Sequence, residues 1–236
     1  METNTKNKPL GIKAYGSIAH LPGSRMGTGD HHCHEGQARI ACEKARDRHD
    51  TVIVQEKLDG SCVSVARVGA IIIPLGRSGY TAESSPYEQH RMFHAWVMEQ
   101  QDRFLAVLED GERLVGEWLA QAHGTRYSLK HEPFVAFDII RGHERLTHSE
   151  FVDRTMRKAF IQPKLLHIGS PLSITDAMQR MTPDYHGSLD PIEGAVWRVE
   201  RRGRVDFLVK YVRPDKVDGC YLPNITKQPE VWNWKP

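Results

Sequence analysis

The sequence predicts an α+β fold with mainly antiparallel sheets, and two kinds of pattern support this prediction. Short β-branched runs such as 52–54 and 71–73 alternate with glycine-bearing turns, which is typical of strands. Large apolar residues recur at helical spacing between 93 and 108, which indicates a helix with one buried face. Strands and helices that follow one another in separate groups are characteristic of the α+β class.

The first strand group lies between 51 and 73. Its three runs are separated by glycine turns, so they predict an antiparallel meander. For the helix that follows, Ser85 is expected to be the N-cap, Pro86 to occupy the first helical position and Glu88 to complete a capping box.

The rest of the chain predicts short elements within one core domain. In order, they are strands at 113–118 and 134–140, helices near 150–159 and 175–181, and strands at 194–200 and 205–211. The last two strands flank a tight basic turn and predict a hairpin. We expect an irregular N-terminal segment (1–50) that packs on the core, the core itself (51–213) and a short tail (214–236).

Composition and charge indicate an ordinary globular protein. Hydrophobic residues make up 39% and charged residues 26% of the chain, and no stretch approaches the roughly 20 apolar residues that span a bilayer. The polar start and the absence of a C-x-x-C pair predict a cytoplasmic protein with reduced thiols and no membrane partner. The net charge of +2 is too small to indicate nucleic-acid binding by itself.

The first chemically suggestive segment is Glu56-Lys57-Leu58-Asp59-Gly60, where a strand ends. A lysine held there can act as a nucleophile once it loses its proton, which burial or nearby positive charge favours. Asp59 can orient it, and Gly60 lets the backbone approach a phosphate closely. The four-residue match is weak alone, because a surface Asp-Gly turn has the same letters.

Four further segments follow in order and carry the residue types that nucleotide transfer needs. A base needs an aromatic face, ribose hydroxyls need a carboxylate, a divalent metal needs another, and phosphate charge needs a lysine. Each candidate taken alone also fits a structural role, such as core packing for Phe137. The segments are Gly116-Glu117-Trp118, Phe134-Val135-Ala136-Phe137-Asp138-Ile139, Glu193-Gly194-Ala195-Val196-Trp197-Arg198 and Leu208-Val209-Lys210-Tyr211.

The five segments together resemble motifs I, III, IIIa, IV and V of the covalent nucleotidyltransferase superfamily, which contains DNA ligases, RNA ligases and mRNA-capping guanylyltransferases. The stretch 116–139, with Gly-Glu-Trp-Leu-Ala, His123, Tyr127 and Phe-x-x-Phe-Asp-Ile, is most similar to the RNA ligase branch. The resemblance covers about 51–213 and implies two antiparallel sheets that flank a nucleotide cleft, with helices outside.

The resemblance implies an ATP-dependent RNA ligase that forms a lysyl-AMP intermediate and joins 5′-phosphate to 3′-hydroxyl ends. The implied cofactors are ATP and Mg²⁺, with Mn²⁺ as an alternative, and the implied partner is nucleic acid, RNA being favoured. The implied roles are nucleotidylation at Lys57, adenine recognition by Glu56, support from Asp59 and Gly60, phosphate or end contact by Arg77, ribose binding by Glu117, base stacking by Phe137, metal binding by Glu193 and α-phosphate contact by Lys210. With Arg77, the candidates for nucleic-acid contact are Arg198, Arg213 and Lys216.

Two positions depart from the family pattern. Cys62 lies where many DNA ligases have arginine and several RNA ligases asparagine, and Val212 replaces the second lysine of motif V. Arg213 or Lys216 are the candidate substitutes for that lysine. Only 26 residues follow Lys210, too few for an oligonucleotide-binding domain, so we expect an RNA-ligase-like or minimal enzyme, with a protein partner that supplies a second domain as an alternative.

Other functions stay open from the sequence. They are a GTP-dependent capping-type guanylyltransferase, a minimal DNA ligase and a non-catalytic module that binds nucleic-acid ends. A zinc site in the His-rich segment 30–35 is a further alternative. A solvated loop is the favoured interpretation, because adjacent residues cannot all turn toward one ion and no second ligand cluster follows.

Overall fold

Two five-stranded sheets form the framework of the computed structural model, which describes residues 8–236. The strands are β1 (Ala19–His20), β2 (Asp50–Lys57), β3 (Ser61–Val68), β4 (Ile71–Gly76), β5 (Glu112–Trp118), β6 (Phe134–Arg141), β7 (Glu144–Arg145), β8 (Leu165–Gly169), β9 (Gly194–Arg201) and β10 (Arg204–Val212). The helices are α1 (Glu35–Cys42), α2 (Glu88–Glu99), α3 (Gln101–Leu105), α4 (His148–Met156), α5 (Ile174–Gln179) and α6 (Pro223–Thr226). The predicted α+β class is confirmed.

The strand order is β1-β10-β9-β2-β8 in the first sheet and β4-β3-β5-β6-β7 in the second. Neighbouring strands are antiparallel, except that β1 runs parallel to β10. The predicted meander is wrong for β2, which pairs with β8 and β9 and not with β3. The turn between Lys57 and Ser61 therefore carries the chain from one sheet to the other.

Each sheet buries one face under helices. The rings of Phe93, Trp96, Phe104, Trp118 and Phe134, from α2, α3 and the second sheet, form one aromatic core. Their centroids lie 5.3 to 6.5 Å apart in the contacting pairs. A large apolar side chain contributes about 1.5 to 3 kcal/mol when it is fully buried, so this cluster is a major source of stability.

Strand alternation leaves the opposite faces free for a site. In β9, Trp197 and Val199 pack into the core under α1 and α5, whereas Val196 and Arg198 line a cleft between the sheets. In β10, Val209 belongs to the same core, whereas Leu208 and Lys210 line the cleft. The period of two thus sorts each strand into a packing face and a cleft face.

Two predicted helix starts differ from the structure. Helix α2 begins at Glu88 with Tyr87 as its N-cap, and no side chain caps it. Ser85 instead accepts a hydrogen bond from the Tyr87 amide at 3.3 Å within the preceding turn, so the predicted capping box is wrong. Helix α4 begins at His148, two residues before the predicted start, because Thr147 is its N-cap and Glu150 completes that capping box.

The two ends of the chain pack on the core domain. The N-terminal segment, predicted to be irregular, contains β1 and α1 in its described part. In the tail, Asn233 donates to the Leu119 carbonyl at 2.8 Å, and the Trp234 ring meets Trp118 at 5.7 Å. Over residues 8–236, no helix is both long and apolar enough to cross a membrane.

Candidate active site

A cleft of about 960 Å³ lies between the two sheets and collects most of the predicted site residues. The lining comes from strands of both sheets and from the N-terminal segment. The predicted residues that line it are Glu56, Lys57, Asp59, Gly60, Arg77, Glu117, Phe137, Arg198 and Lys210.

Lys57 is the last residue of β2 and forms an ion pair across the cleft floor. Its Nζ lies 2.5 Å from Oε2 of Glu193, which directly precedes β9, the antiparallel neighbour of β2. Burial lowers the pKa of Lys57, but the carboxylates of Glu193 and Glu117 outweigh burial, so its net pKa lies above the ordinary value of lysine. The expected positive neighbourhood is thus replaced by a negative one, which holds the ammonium form.

Two carboxylates face this lysine, the half-buried Glu117 and the buried Glu193. Burial raises the pKa of Glu117 to about 7, and the nearby Lys57 ammonium opposes the rise. Burial also raises the pKa of Glu193, again against the effect of Lys57. Glu117 accepts a hydrogen bond from the Gly60 amide at 3.0 Å. A Cβ at Gly60 would meet the Trp118 carbonyl oxygen at 2.5 Å, so glycine is required for this close approach.

Asp59 fixes the loop that follows the lysine. Its Oδ2 accepts a hydrogen bond from the Gly124 amide at 2.9 Å and forms an ion pair with Lys216, while its amide donates to the Tyr127 hydroxyl at 3.1 Å. Lys216 also donates to Oγ1 of Thr125 at 2.6 Å. Lys216, a candidate for nucleic-acid contact, is buried. Its ion pair with Asp59 joins the C-terminal tail to this loop.

The predicted base-binding residues lie in the same cleft. Burial raises the pKa of Glu56 to about 7, with Lys164 opposing the rise, and Glu56 Oε2 has no hydrogen-bond partner among the described residues. The half-buried Phe137 is braced by Tyr15, whose ring meets it edge-on at 5.3 Å. Sequence reasoning did not find Tyr15, because a single aromatic in an irregular segment carries no periodic signal.

Two cations complete the cleft wall. Burial and the neighbouring Lys57 lower the pKa of Lys210, whose Nζ lies 3.6 Å from Oδ1 of Asp30. The exposed Arg77 donates to the Gly16 carbonyl at 3.3 Å and to Oγ of Ser17 at 3.2 Å. The N-terminal segment therefore contacts both predicted phosphate-binding cations.

The other two arginine candidates bind protein groups. Arg198 is 3% exposed and donates to Oδ1 of Asp138 at 3.0 Å and to the Phe137 carbonyl at 3.2 Å, which links β9 to β6 of the other sheet. Arg213 donates to the Ile192 carbonyl at 2.6 Å and pairs with Asp215. These contacts give both guanidinium groups a structural role. The alternation of inward and outward side chains along β9 could have located Arg198 on the cleft face.

The structure locates the two residues that depart from the family pattern, Cys62 and Val212, and the His-rich segment. Cys62 lines the cleft, and Val212 is buried with its amide bonded to Oγ of Ser24 at 2.9 Å. Within residues 8–236, no group of three or more His, Cys, Asp or Glu side chains could hold a metal ion. Asp30, at the start of the His-rich segment, instead lies beside His20 and Lys210.

The sequence matches the family model for RNA ligases over residues 50–212, more than half of the chain. No curated protein matches it. Among solved structures, a Naegleria gruberi RNA ligase mutant with AMP and Mn has a TM-score of 0.54 at 18% identity, covering 85% of this chain and 60% of that one. A mutant of the same ligase with ATP and Mn has a TM-score of 0.53 at 18% identity, covering 85% and 61%.

A putative ATP-dependent DNA ligase from Aquifex aeolicus is also similar, with a TM-score of 0.50 at 15% identity, covering 84% of this chain and 49% of that one. At such identities these likenesses show the fold, a ligase nucleotidyltransferase fold. This chain spans less than two thirds of the length of each of these proteins. On the extent of the family match and the agreement of the fold, the chain belongs to the RNA ligase family.

Proposed function

We propose that this protein is an ATP-dependent RNA ligase that carries AMP on Lys57 and joins 5′-phosphate to 3′-hydroxyl ends. One observation carries the proposal: Lys57, Glu117, Phe137 and Lys210 line a single cleft, with Glu193 in contact with the Lys57 ammonium. Membership of the RNA ligase family supports it. The Naegleria ligase structures hold ATP or AMP with Mn, which supports the same nucleotide and a divalent cation here.

In the first step, Lys57 Nζ bonds to the α-phosphorus of ATP while the bond to the bridging oxygen of the β-phosphate breaks, which releases pyrophosphate. Such transfers depend mostly on positioning and on neutralising phosphate charge. Lys210 lies on the cleft face of β10 and would neutralise the α-phosphate. Lys57 has to lose its proton first, which requires relief from the carboxylates that raise its pKa.

The carboxylates around Lys57 fit a magnesium site. Mg²⁺ is usually held by one or two carboxylates together with waters and substrate phosphates, so Glu193 with nucleotide oxygens would suffice. A divalent cation at Glu193 would supply positive charge beside Lys57 and so favour its neutral amine. Mn²⁺ accepts the same oxygen ligands.

The adenine is proposed to lie between Phe137 and Glu56. Phe137 offers an aromatic face to the cleft, and the unpartnered Oε2 of Glu56 can accept a hydrogen bond from the exocyclic amino group of adenine. Glu117 would bind the ribose hydroxyls. This assignment favours ATP over GTP, since the corresponding position of guanine carries a carbonyl oxygen.

The AMP then passes to a 5′-phosphate end, and a 3′-hydroxyl displaces it in the sealing step. Arg77, exposed at the cleft wall, is the proposed contact for the phosphorylated end, and RNA is the favoured substrate. The described cysteines at 33, 42, 62 and 220 are all free thiols, which supports a reducing compartment such as the cytoplasm.

The first test incubates the protein with α-labelled ATP or α-labelled GTP and Mg²⁺. We expect label on the wild type from ATP, none on Lys57→Ala, and wild-type labelling of the control Lys44→Ala, which removes an exposed lysine. Labelled Lys57→Ala protein would overturn the assignment of the nucleophile. Labelling by GTP alone would favour the capping-type enzyme.

The second test offers single-stranded RNA and nicked duplexes that differ only in the sugar on each side of the nick. We expect sealing when the strands are RNA. Sealing of all-DNA nicks alone would identify a DNA ligase. A protein that labels at Lys57 but seals none of them would need a partner for the later steps.

A further inference from the structure

Strand β1 and the loop between β1 and α1 contact the lysine of β10. His20 pairs in register with Lys210, and the Leu21 amide donates to the Lys210 carbonyl at 2.8 Å. Farther along, the Val212 amide donates to Oγ of Ser24 at 2.9 Å. The segment lies outside the residues matched by the family model, yet it adds a parallel strand to the sheet beside the site.

Asp30 is held in this loop with one carboxylate oxygen toward Lys210. Its Oδ2 accepts a hydrogen bond from the Gly27 amide at 2.9 Å and lies 3.1 Å from Nε2 of His20. Its other oxygen, Oδ1, lies 3.6 Å from Nζ of Lys210. One oxygen of the carboxylate thus fixes Asp30 to the loop, and the other faces the lysine.

The Lys210 ammonium needs such a partner. Among the described residues it makes no hydrogen bond, and the cations of Lys57, on β2, and Arg77, after β4 of the other sheet, lower its pKa. A lysine side chain has four rotatable bonds, and an unpaired ammonium samples many of their rotamers. A contact of 3.6 Å restrains the ammonium electrostatically while all three of its N–H donors stay free.

We propose that Asp30, buttressed by His20, is a positioning residue that holds the Lys210 ammonium where the α-phosphate of the nucleotide will lie. This inference rests on the proposed function. It assigns part of the active site to the N-terminal segment, outside the family match. Arg77 follows the same pattern, because Gly16 and Ser17 of this segment fix its guanidinium.

A purely structural role for Asp30 makes a different prediction. If its function were only to close the loop through the Gly27 amide, an asparagine would serve, since its carbonyl oxygen accepts the same hydrogen bond. Asp30→Asn removes the charge and keeps the shape. The substitution therefore separates a role exerted through Lys210 from a role in loop folding.

The test is a double-mutant cycle on single-turnover label transfer from α-labelled ATP, with thermal melting as the fold control. We expect Asp30→Asn to lower the maximal rate about tenfold, a coupling in the range found for neighbouring charged residues, with little change in the ATP concentration at half-maximal rate. In a Lys210→Ala background, Asp30→Asn should have no further effect. The matched control is Asp218→Asn, which removes an exposed carboxylate paired with Arg25.

A second measurement works even without label transfer. The ¹³Cε resonance of Lys210, assigned by its loss in Lys210→Arg, is titrated in wild type and in Asp30→Asn. We expect a lower pKa in the variant, because a neighbouring carboxylate stabilises the ammonium. The other groups that face Lys210 are unchanged in this comparison: His20, Lys57, Arg77 and Glu193.

The outcomes separate the two proposals. An unlabelled wild-type protein overturns the proposed function, and the titration still decides the role of Asp30. An unchanged Lys210 titration in Asp30→Asn overturns the positioning role. A labelled wild type with equal rates in Asp30→Asn, or rate losses that multiply in the double variant, also overturns it.

Discussion

Lys57 and Lys210 lie on strands of the same sheet and line the same cleft, yet their surroundings are opposite. Lys57 has Glu193 at 2.5 Å and Glu117 nearby, and these carboxylates raise its pKa despite burial. Lys210 has its nearest carboxylate, Asp30, at 3.6 Å, and burial together with Lys57 lowers its pKa. One lysine is a paired cation, and the other has free donors.

The difference teaches that residue type and strand position do not define a lysine's chemistry. In the proposed reaction the nucleophile has to become neutral, whereas the phosphate-binding lysine has to stay charged. The cleft stabilises the ammonium of Lys57, so in the proposed reaction its activation would depend on a positive charge that arrives with the nucleotide. Lys210 needs only to be held in place, because its donors are already available.

Apart from the loss of labelling expected when Lys57 is replaced, the largest expected effect comes from removing Lys210. Lys210→Ala should lower the rate of lysine labelling by about 10² to 10³, the usual loss when a donor that stabilises transition-state charge is deleted. Single-turnover labelling measures it, and Lys210→Arg should retain more activity than the alanine variant because it keeps the charge. A loss that disappears at high ATP would mean that Lys210 only binds the ground state.

A third lysine, Lys216, sharpens the comparison because it is wholly committed to the protein. Its ion pair with Asp59 has side-chain exposures of 2% and 15%, so Lys216→Met leaves a poorly hydrated carboxylate. We expect a loss of about 3 kcal/mol in the free energy of unfolding, measured by urea denaturation. The control is Arg157→Met, which breaks an exposed pair with Asp153 and should cost less than about 0.5 kcal/mol. Equal losses in the free energy of unfolding in Lys216→Met and Arg157→Met would show that the buried pair stabilises the fold no more than the exposed pair does.

Seven of the ten strands and the pairings of β3 with β4 and of β9 with β10 could be predicted from the sequence, but β1, β7, β8 and the partners of β2 could not. β-branched runs locate β2, β3 and β4 because side-chain composition reflects the local backbone. The Asp-Gly turn before β3 indicates a hairpin, yet it carries the chain into a second sheet. Strand pairing between distant segments depends on which faces the whole chain buries, and a local sequence pattern does not contain that information.

The residues of the site also divide into those that the sequence predicts and those that it does not. The motif resemblance identified Glu117, Phe137 and Lys210, and they line one cleft because each lies on the cleft face of its strand. Tyr15 was assigned no role, and Asp30 was considered only as part of a zinc site, because their partners Phe137 and Lys210 lie more than a hundred residues away and no local spacing marks them. The residues proposed to do the chemistry follow a recognisable order, whereas the residues proposed to hold them in place do not.

The next prediction concerns the base, for which neither lysine is a proposed contact. Phe137→Leu should weaken ATP binding by about 1 to 3 kcal/mol through lost stacking, with a smaller effect on the labelling rate at saturating ATP. Titration of the labelling rate with ATP measures the effect. The matched control is Tyr15→Phe, which keeps the ring that braces Phe137 and should behave as wild type. An unchanged ATP dependence in Phe137→Leu would assign Phe137 to packing alone.

The smallest expected effect tests the burial of a carboxylate, that of Glu56, which forms no ion pair with a lysine among the described residues. Glu56 neighbours Lys57 on β2, and burial raises its pKa from 4.5 to about 7, with Lys164 in opposition. Its folded state therefore binds the proton more tightly than its unfolded state, so its contribution to stability is full below about pH 4.5 and is lost as the pH rises through 7. Glutamine does not titrate, so Glu56→Gln should gain about 1 to 2 kcal/mol relative to wild type between about pH 6 and pH 8. Urea denaturation at both pH values measures the gain. If the free energies of unfolding of wild type and Glu56→Gln change in parallel with pH, Glu56 is ionised over the whole pH range. A buried carboxylate in this cleft would then stay charged without a lysine paired to it.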